Sequence, residues 1–387
     1  NWTWDGSEAD IGYCVAKDLE GNFYIGGYTV VPGNQQDWVL VKLDNKGEYQ
    51  WHQTWGSRGV DICLDIAIDS LGYIYMVGVV QNTVLMADDA CLAKFNSSGH
   101  FLWYYSWINS YCPAIIIDPL DNVILAINDY FNGDIGILNY SNSGDLQWIS
   151  SWGTTNLDWA RNIALDQSQN IYITGSTYKI GEEGGIELFF TKFNNKGHFL
   201  SYRTWGGEDE DSGYCIIISP LLDIYISGIT SSYGSGAKDL CLLKYSPLNT
   251  LMWERTWGND GDNSGNAIDF DPDGNIYVIG SSEQDANEDI CLLKYNNEGE
   301  AKGYFLWGGP GNQHGYDIML LNSTCLIAVG TTEGDICLLK FELQEADGIF
   351  EPYTPWYPLF ILALSLGLIS IIIIVLFKKW SFRHQNK

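Results

Sequence analysis

The chain repeats itself about every 50 residues, and no other feature restricts its fold as tightly. A Trp preceded by Ser, Thr or Leu marks each copy, at Trp4, Trp55, Trp107, Trp152, Trp205, Trp257 and Trp307, with spacings of 51, 52, 45, 53, 52 and 50 residues. The sixth copy shows the common plan. Trp257-Gly258 leads into a polar loop, an apolar run from Asn266 to Phe270, and a turn at Pro272-Asp273-Gly274-Asn275. A second run (Ile276 to Gly280), a variable loop, a third run (Asp289 to Tyr295), a turn at Asn296 to Gly299 and a fourth run complete it. Short runs rich in Ile, Val, Leu, Tyr and Trp, punctuated by Asn, Asp and Gly, predict an antiparallel meander of four strands. The runs are apolar on both faces instead of alternating, so each sheet must be covered on both sides. Sheets stacked around an axis meet that demand. The expected fold is all-β, a seven-bladed propeller of four-stranded antiparallel blades.

Two further columns keep the register. Lys42, Lys94, Lys192, Lys244, Lys294 and Lys340 close the third strand, with Asn139 in the third copy. Five residues earlier stand Asp37, Asp89, Asp134, Glu187, Asp239, Asp289 and Asp335. Sevenfold repetition makes these acids structural, and residues five apart on a strand point to opposite faces. They are expected to cap loops or bridge blades. The string W-G-G…D-x-x-G-N-I-Y-V-x-G-S/T…D-x-x-L-L-K-Y/F-N-x-x-G resembles the β-propeller (SBBP) repeat of bacterial and archaeal secreted and cell-surface proteins. The resemblance runs from residue 3 to about 341. It implies architecture and a surface location, and it carries no shared catalytic motif.

The two ends complete each other. The seventh copy stops after its third strand, Asp335 to Phe341, while the chain opens with Asn1-Trp2-Thr3-Trp4, a fourth strand without a third. Residues 1 to 4 are therefore expected to close the ring and remove its free sheet edges. The domain division that follows is a propeller over 1–343, a juxtamembrane linker over 344–356, a transmembrane helix over 357–377 and a basic cytoplasmic tail over 378–387. Leu359 to Phe377 is uncharged over 19 residues, enough to span a hydrocarbon core of about 30 Å at about 1.5 Å per residue. Lys378, Lys379, Arg383 and Lys387 follow, which sets the C-terminus inside and the propeller outside a cell membrane. Trp356, Tyr357 and Trp380 flank the span as interfacial anchors. Residue 1 is Asn, so a signal peptide is expected to have been removed or omitted.

A net charge of −28 repels nucleic acid and favours neutral or basic partners. Cys91, Cys241, Cys291 and Cys337 share one repeat position, too far apart around a ring for disulfides, and are expected to pack as small buried hydrophobes. Of four sequons, Asn1, Asn96, Asn139 and Asn322, those at Asn96 and Asn322 lie at turns and are the candidate glycosylation sites, whereas Asn139 occupies a buried strand position.

Antiparallel alternation puts the short turns on one face and all long connections on the other. Loops on a rigid scaffold carry function, so the long-loop face is the candidate binding surface. Its acids are Glu8, Asp10, Asp61, Asp158, Glu182, Glu183, Glu208, Asp209, Glu210, Asp211, Asp260, Asp262, Asp285 and Glu288. Such loops would receive a basic partner or Ca²⁺, although plain solvation accounts for them too. On the other face Asp269, Asp271, Asp273 and Gly274 resemble a calcium loop, but the closing acid is missing, with Tyr277 and Gly280 where ligands would stand. No cofactor other than Ca²⁺ is suggested. His52, His100, His198, His314 and His384 sit beside no sequence-evident nucleophile or metal cluster. The best-supported reading is a membrane-anchored module that binds an extracellular protein or glycan. An extracellular propeller enzyme, a lyase or quinone-dependent oxidoreductase, and a passive envelope component are the alternatives.

Overall fold

In the computed structural model the described residues are 2–4, 6, 9–31, 35–82, 84, 87–179, 185–284, 287–322, 324–343 and 351–352. They form seven antiparallel sheets in a ring. Blade 1 runs from an innermost strand (Asp10–Lys17) through Phe23–Val30 and Gln36–Leu43 to an outer strand (Tyr49–Trp55). Blades 2 to 6 repeat this order. In blade 7 the strands Gln313–Asn322, Cys325–Thr332 and Asp335–Glu342 are joined by Trp2–Trp4, with Trp2 opposite Leu338 and Trp4 opposite Ile336. The ring closes as the two chain ends predict. A short strand, Glu351–Pro352, also pairs with Phe341 and Glu342, so part of the expected linker belongs to the edge of blade 7. Among the described residues no helix is long and apolar enough to cross a membrane. Leu359 to Phe377 and the basic tail lie outside them.

The hydrophobic cores lie between blades. One unites Cys14, Tyr24 and Leu40 of blade 1 with Cys63, Met76 and Cys91 of blade 2, and another joins Val15, Ile25 and Val39 to Ile327, Val329 and Ile336 of blade 7. Sheets apolar on both faces stack for that reason. The innermost strands are longer than their apolar runs. Asn263 to Gly265, which read as loop, pair with Gly280 to Ser282. Each innermost strand also carries a bulge, as between Gly265 and Ala267. The bulge pushes a carbonyl into the second strand, so a side chain at Gly280 would clash with the Ser264 oxygen. The same clash awaits Gly27, Gly78, Gly175, Gly228 and Gly330, which explains the Gly of the I-Y-V-x-G string.

The Asp and Lys columns take the two roles expected of them. Asp239 Oδ2 accepts the amides of Ser235 and Gly236, and Asp89 accepts that of Asn109. Lys94 Nζ donates to the Asn142 carbonyl of blade 3, and Lys244 to Asn297 of blade 6. Their ammonium groups also lie over Tyr75 and Tyr225. All nine cysteines are free and buried. Burial holds the thiols of Cys14, Cys91, Cys112, Cys215, Cys241, Cys291, Cys325 and Cys337 above the usual range, with Cys291 and Cys337 at about 12, so these are packed as thiols and not poised as thiolate ligands.

Candidate functional site: the long-loop face and its axial mouth

The acids that the sequence placed on the long-loop face fall into two groups. Asp10, Asp61, Asp158 and Asp211 are corrected from loop to strand: each is the first residue of an innermost strand, and each is buried. Their carboxylates turn back on the loop before them. Asp158 Oδ2 accepts the Thr154 amide at 2.5 Å, Asp211 Oδ2 that of Gly207 at 2.8 Å, Asp10 that of Gly6 at 2.5 Å, and Asp61 that of Ser57. Other blades fill the position with Ser110, Asn263 and Gln313. It is a loop cap: Gln313 likewise accepts the Gly309 amide, while Ser110 and Asn263 donate to the carbonyls of Ile108 and Gly261. Glu208, Asp209, Asp260 and Asp262 are exposed, while Glu210 and Glu288 are half-buried. Glu8, Glu182, Glu183 and Asp285 lie outside the described residues.

The calcium candidate does not converge. Asp271 is the cap of its own turn, accepting the amides of Asp273 and Asn275, the Asn275 carboxamide and the Tyr277 hydroxyl. Asp269 points instead into the ring, where Oδ1 accepts the Phe270 amide and Oδ2 the Leu320 amide of the next blade at 2.7 Å. Asp273 is exposed. Among the described residues no group of three His, Cys, Asp or Glu side chains is placed to hold a metal ion. Of the sequons, Asn139 is buried, Asn96 is half-buried and caps its turn, and Asn322 is exposed with its Oδ1 accepting from Thr324.

The second and fourth residues of the innermost strands build something that reading the copies one by one misses. Tyr13, Tyr111, Trp159, Arg161, Tyr214, His314 and Tyr316 occupy these places and are not fully buried. They meet around the axis. Tyr13 of blade 1 packs edge-on against Tyr316 of blade 7 at 4.8 Å between ring centroids and lies 6.1 Å from Tyr28. Trp159 meets Tyr130 at 5.2 Å and Tyr111 at 6.4 Å. The Arg161 guanidinium lies 5.4 Å from the Tyr214 ring centre. His314 stacks on Tyr316 and stands 3.0 Å from Glu288, and Lys238 stands 3.0 Å from Glu210. The result is an aromatic mouth with charged groups at its edge.

Its phenols hold their protons. Burial raises Tyr13, and the neighbouring Tyr316, Tyr28 and Tyr111 raise it further. Tyr316 is pushed up to about 12, by burial first and then by Tyr28 and Glu288. Tyr111 and Tyr214 are raised by burial too, with the charge of Arg161 pulling against it. These tyrosines therefore present apolar faces and hydroxyl donors. Deeper in the ring, carboxyls tie blade to blade. Asp65 Oδ2 accepts the Ile115 amide and Asp317 Oδ2 the Val15 amide, each at 2.9 Å. Burial, with the neighbouring Asp317, raises Asp65 to about 7, and burial with Asp269 raises Asp317 to about 6.

A ring of this kind defines a β-propeller, and known proteins agree. Residues 147–180 match the family model of the β-propeller repeat called SBBP. An uncharacterized WD repeat-containing protein of Acanthamoeba polyphaga mimivirus is 22% identical over 281 residues, 71% of this chain and 16% of that protein. This chain thus spans about a sixth of the length of that relative. Among solved structures, hydrazine synthase of Kuenenia stuttgartiensis superposes with a TM-score of 0.59 at 9% identity, over 85% of this chain and 95% of that one. An ulvan lyase, a polysaccharide lyase, gives 0.56 at 12% over 91% and 98%, and the WD40 domain of Neurospora crassa Pan2 gives 0.55 at 8% over 86% and 89%. At such identities the likeness is one of fold, and the fold hosts unrelated functions.

Proposed function

We propose that this propeller is a cell-surface interaction module that takes a basic extracellular protein on its long-loop face. The observation that carries the reading is the mouth itself. Half-buried Tyr and Trp side chains held by one another, with the exposed Arg161 over Tyr214, stand at the centre of a face whose exposed loops carry Glu208, Asp209, Asp260 and Asp262. Tight protein interfaces share this anatomy, with aromatic and Arg anchors at the centre and a polar rim that steers the partner. Tyrosines that keep their protons suit binding better than the proton abstraction a lyase needs. The anchor through Leu359 to Phe377 would hold the module outside the membrane. Ca²⁺ at Asp269, Asp271 and Asp273 and glycans on Asn96 and Asn322 form no part of this reading.

The test is retention of cell-envelope proteins on the immobilised full-length protein, compared with Tyr13→Ala/Trp159→Ala and Glu208→Lys/Asp209→Lys. A basic protein held by the wild type should bind about tenfold or more weakly to the aromatic double variant. Its on-rate should fall with added salt and in the charge-reversed variant. Retention that ignores both changes, or retention of glycans alone, would sink the proposal.

A further inference from the structure

One cation at the axial mouth has no task inside the ring. The bulge of an innermost strand leaves a residue without a pairing partner, and bulges re-aim the side chain they carry. In blade 4 that residue is Arg161, between Ala160, paired with Gly175, and Asn162, paired with Thr174. In the other blades the place holds Tyr13, Leu64, Pro113, Tyr214, Asn266 and Tyr316, so Arg161 alone among them is charged. Its guanidinium lies 5.4 Å from the ring centre of Tyr214 of blade 5, and its charge also acts on Tyr111 of blade 3. Trp159, two residues earlier, packs on the same Tyr111 at 6.4 Å. Arg161 is exposed and, among the described residues, forms no ion pair and no hydrogen bond. Other cations are spent. Arg203 donates to the carbonyls of Tyr202 and Asn249, and Arg255 to those of Glu254, Glu298 and Gly299. Lys238 pairs with Glu210 and His314 with Glu288. With 48 acids against 20 Lys and Arg residues, Arg161 is not unpaired for want of carboxylates in the chain.

A guanidinium presents its N–H donors in a rigid plane that fits a carboxylate through paired, parallel hydrogen bonds. An aromatic face beneath holds that plane and uses none of the donors. We infer that Arg161 reads the C-terminal carboxylate of the partner. The charge pattern of the face selects this source. Glu208, Asp209, Asp260 and Asp262 are exposed in the loops, so they repel a polyanion such as a polymer of uronic acids and attract a basic chain that carries a lone carboxylate. The seven blades surround the axis, so a ligand from the long-loop side comes in along it. A chain end enters there as one strand, whereas an internal Asp or Glu has to bring a second. The terminal carboxylate takes the guanidinium, and the last side chain lies against Trp159 and Tyr111. The inference rests on the mouth being the site for a basic protein, and it adds the residue that decides which part of that protein is held.

The experiment presents the immobilised full-length protein with a fluorescent pool of lysine-rich peptides, randomised over their last positions, as free acids or as C-terminal amides. The wild type should retain the acids about tenfold or more over the amides. Arg161→Met should remove that preference, and Arg161→Lys should restore little of it, because an ammonium has no planar fork. Both variants should melt where the wild type does, since Arg161 bonds to nothing in the ring. Acids and amides retained alike, with both still weakened by salt and by Glu208→Lys/Asp209→Lys, overturn the carboxylate reader and leave the basic-partner reading standing. Amides with one internal Glu that are retained as well as the acids overturn the chain end as the source. Retention of neither pool overturns the inference, and the basic-partner reading then rests on the envelope proteins.

Discussion

The two faces of the ring come from one repeat, yet they are built on different rules. On the short-turn side, blade after blade uses the same device. Asp18, Asp69, Asp166 and Asp271 each accept the amides two and four residues on and a Tyr hydroxyl six residues on. On the long-loop side the capping residue changes between Asp, Ser, Asn and Gln, and the loops above it differ in length and charge. A turn that satisfies itself keeps one form from blade to blade. A loop that depends on its blade is individual, and individuality is what a specific binding face requires.

Breaking what both faces share should have the largest effect. Removal of residues 1–5 leaves the edge of Asp335–Glu342 open, and thermal unfolding should occur about 10 °C lower or more, with aggregation. Next comes the self-contained turn. Asp271→Ala removes the acceptor of two amides, the Asn275 carboxamide and the Tyr277 hydroxyl, and denaturant titration should show a loss of about 3 kcal/mol. Because that carboxylate is fully engaged, a chelator should leave the wild-type melting temperature where it was. A shift on chelation would restore the calcium reading.

The axis between the faces should respond to pH. Asp65 at about 7 and Asp317 at about 6 are raised by burial, so the folded ring prefers them protonated. That preference is fully present below the unfolded value of about 3.9 and is lost as pH rises through 6 and 7. Stability should drop by on the order of 2 kcal/mol from pH 5 to pH 8, and Asp65→Asn should flatten the profile. A curve that rises over this window would contradict the arrangement. The smallest effect separates cap from rim on the long-loop face. Asp211→Ala should cost about 1–2 kcal/mol, whereas Glu208→Ala should stay within about 0.5 kcal/mol.

Much of this architecture was legible in the chain. The Trp spacing marked the blades, and Trp2 to Trp4 announced the closing strand because a fourth strand with no third has one place to go. The acids were harder. Asp211 and Glu208 look alike in a polar loop, but one starts a strand and is buried while the other faces water. The difference arises from bulged pairing that extends the strand past its apolar run. The mouth left a trace, since the second and fourth residues of the innermost strands are enriched in Tyr, Trp, Arg and His, but nothing local says that they converge.

Periodicity is a local property, so the sequence alone determined the repeat, the number of blades and the order of strands within each. Convergence is not local. Tyr13 and Tyr316 stand 303 positions apart in the chain and become neighbours only because blade 7 closes on blade 1. The tertiary structure alone decided which acids vanish into caps and which aromatics gather at the axis. Stacking of neighbouring blades sets the contacts of Trp159 with Tyr130 and Tyr111, and ring closure sets that of Tyr13 with Tyr316.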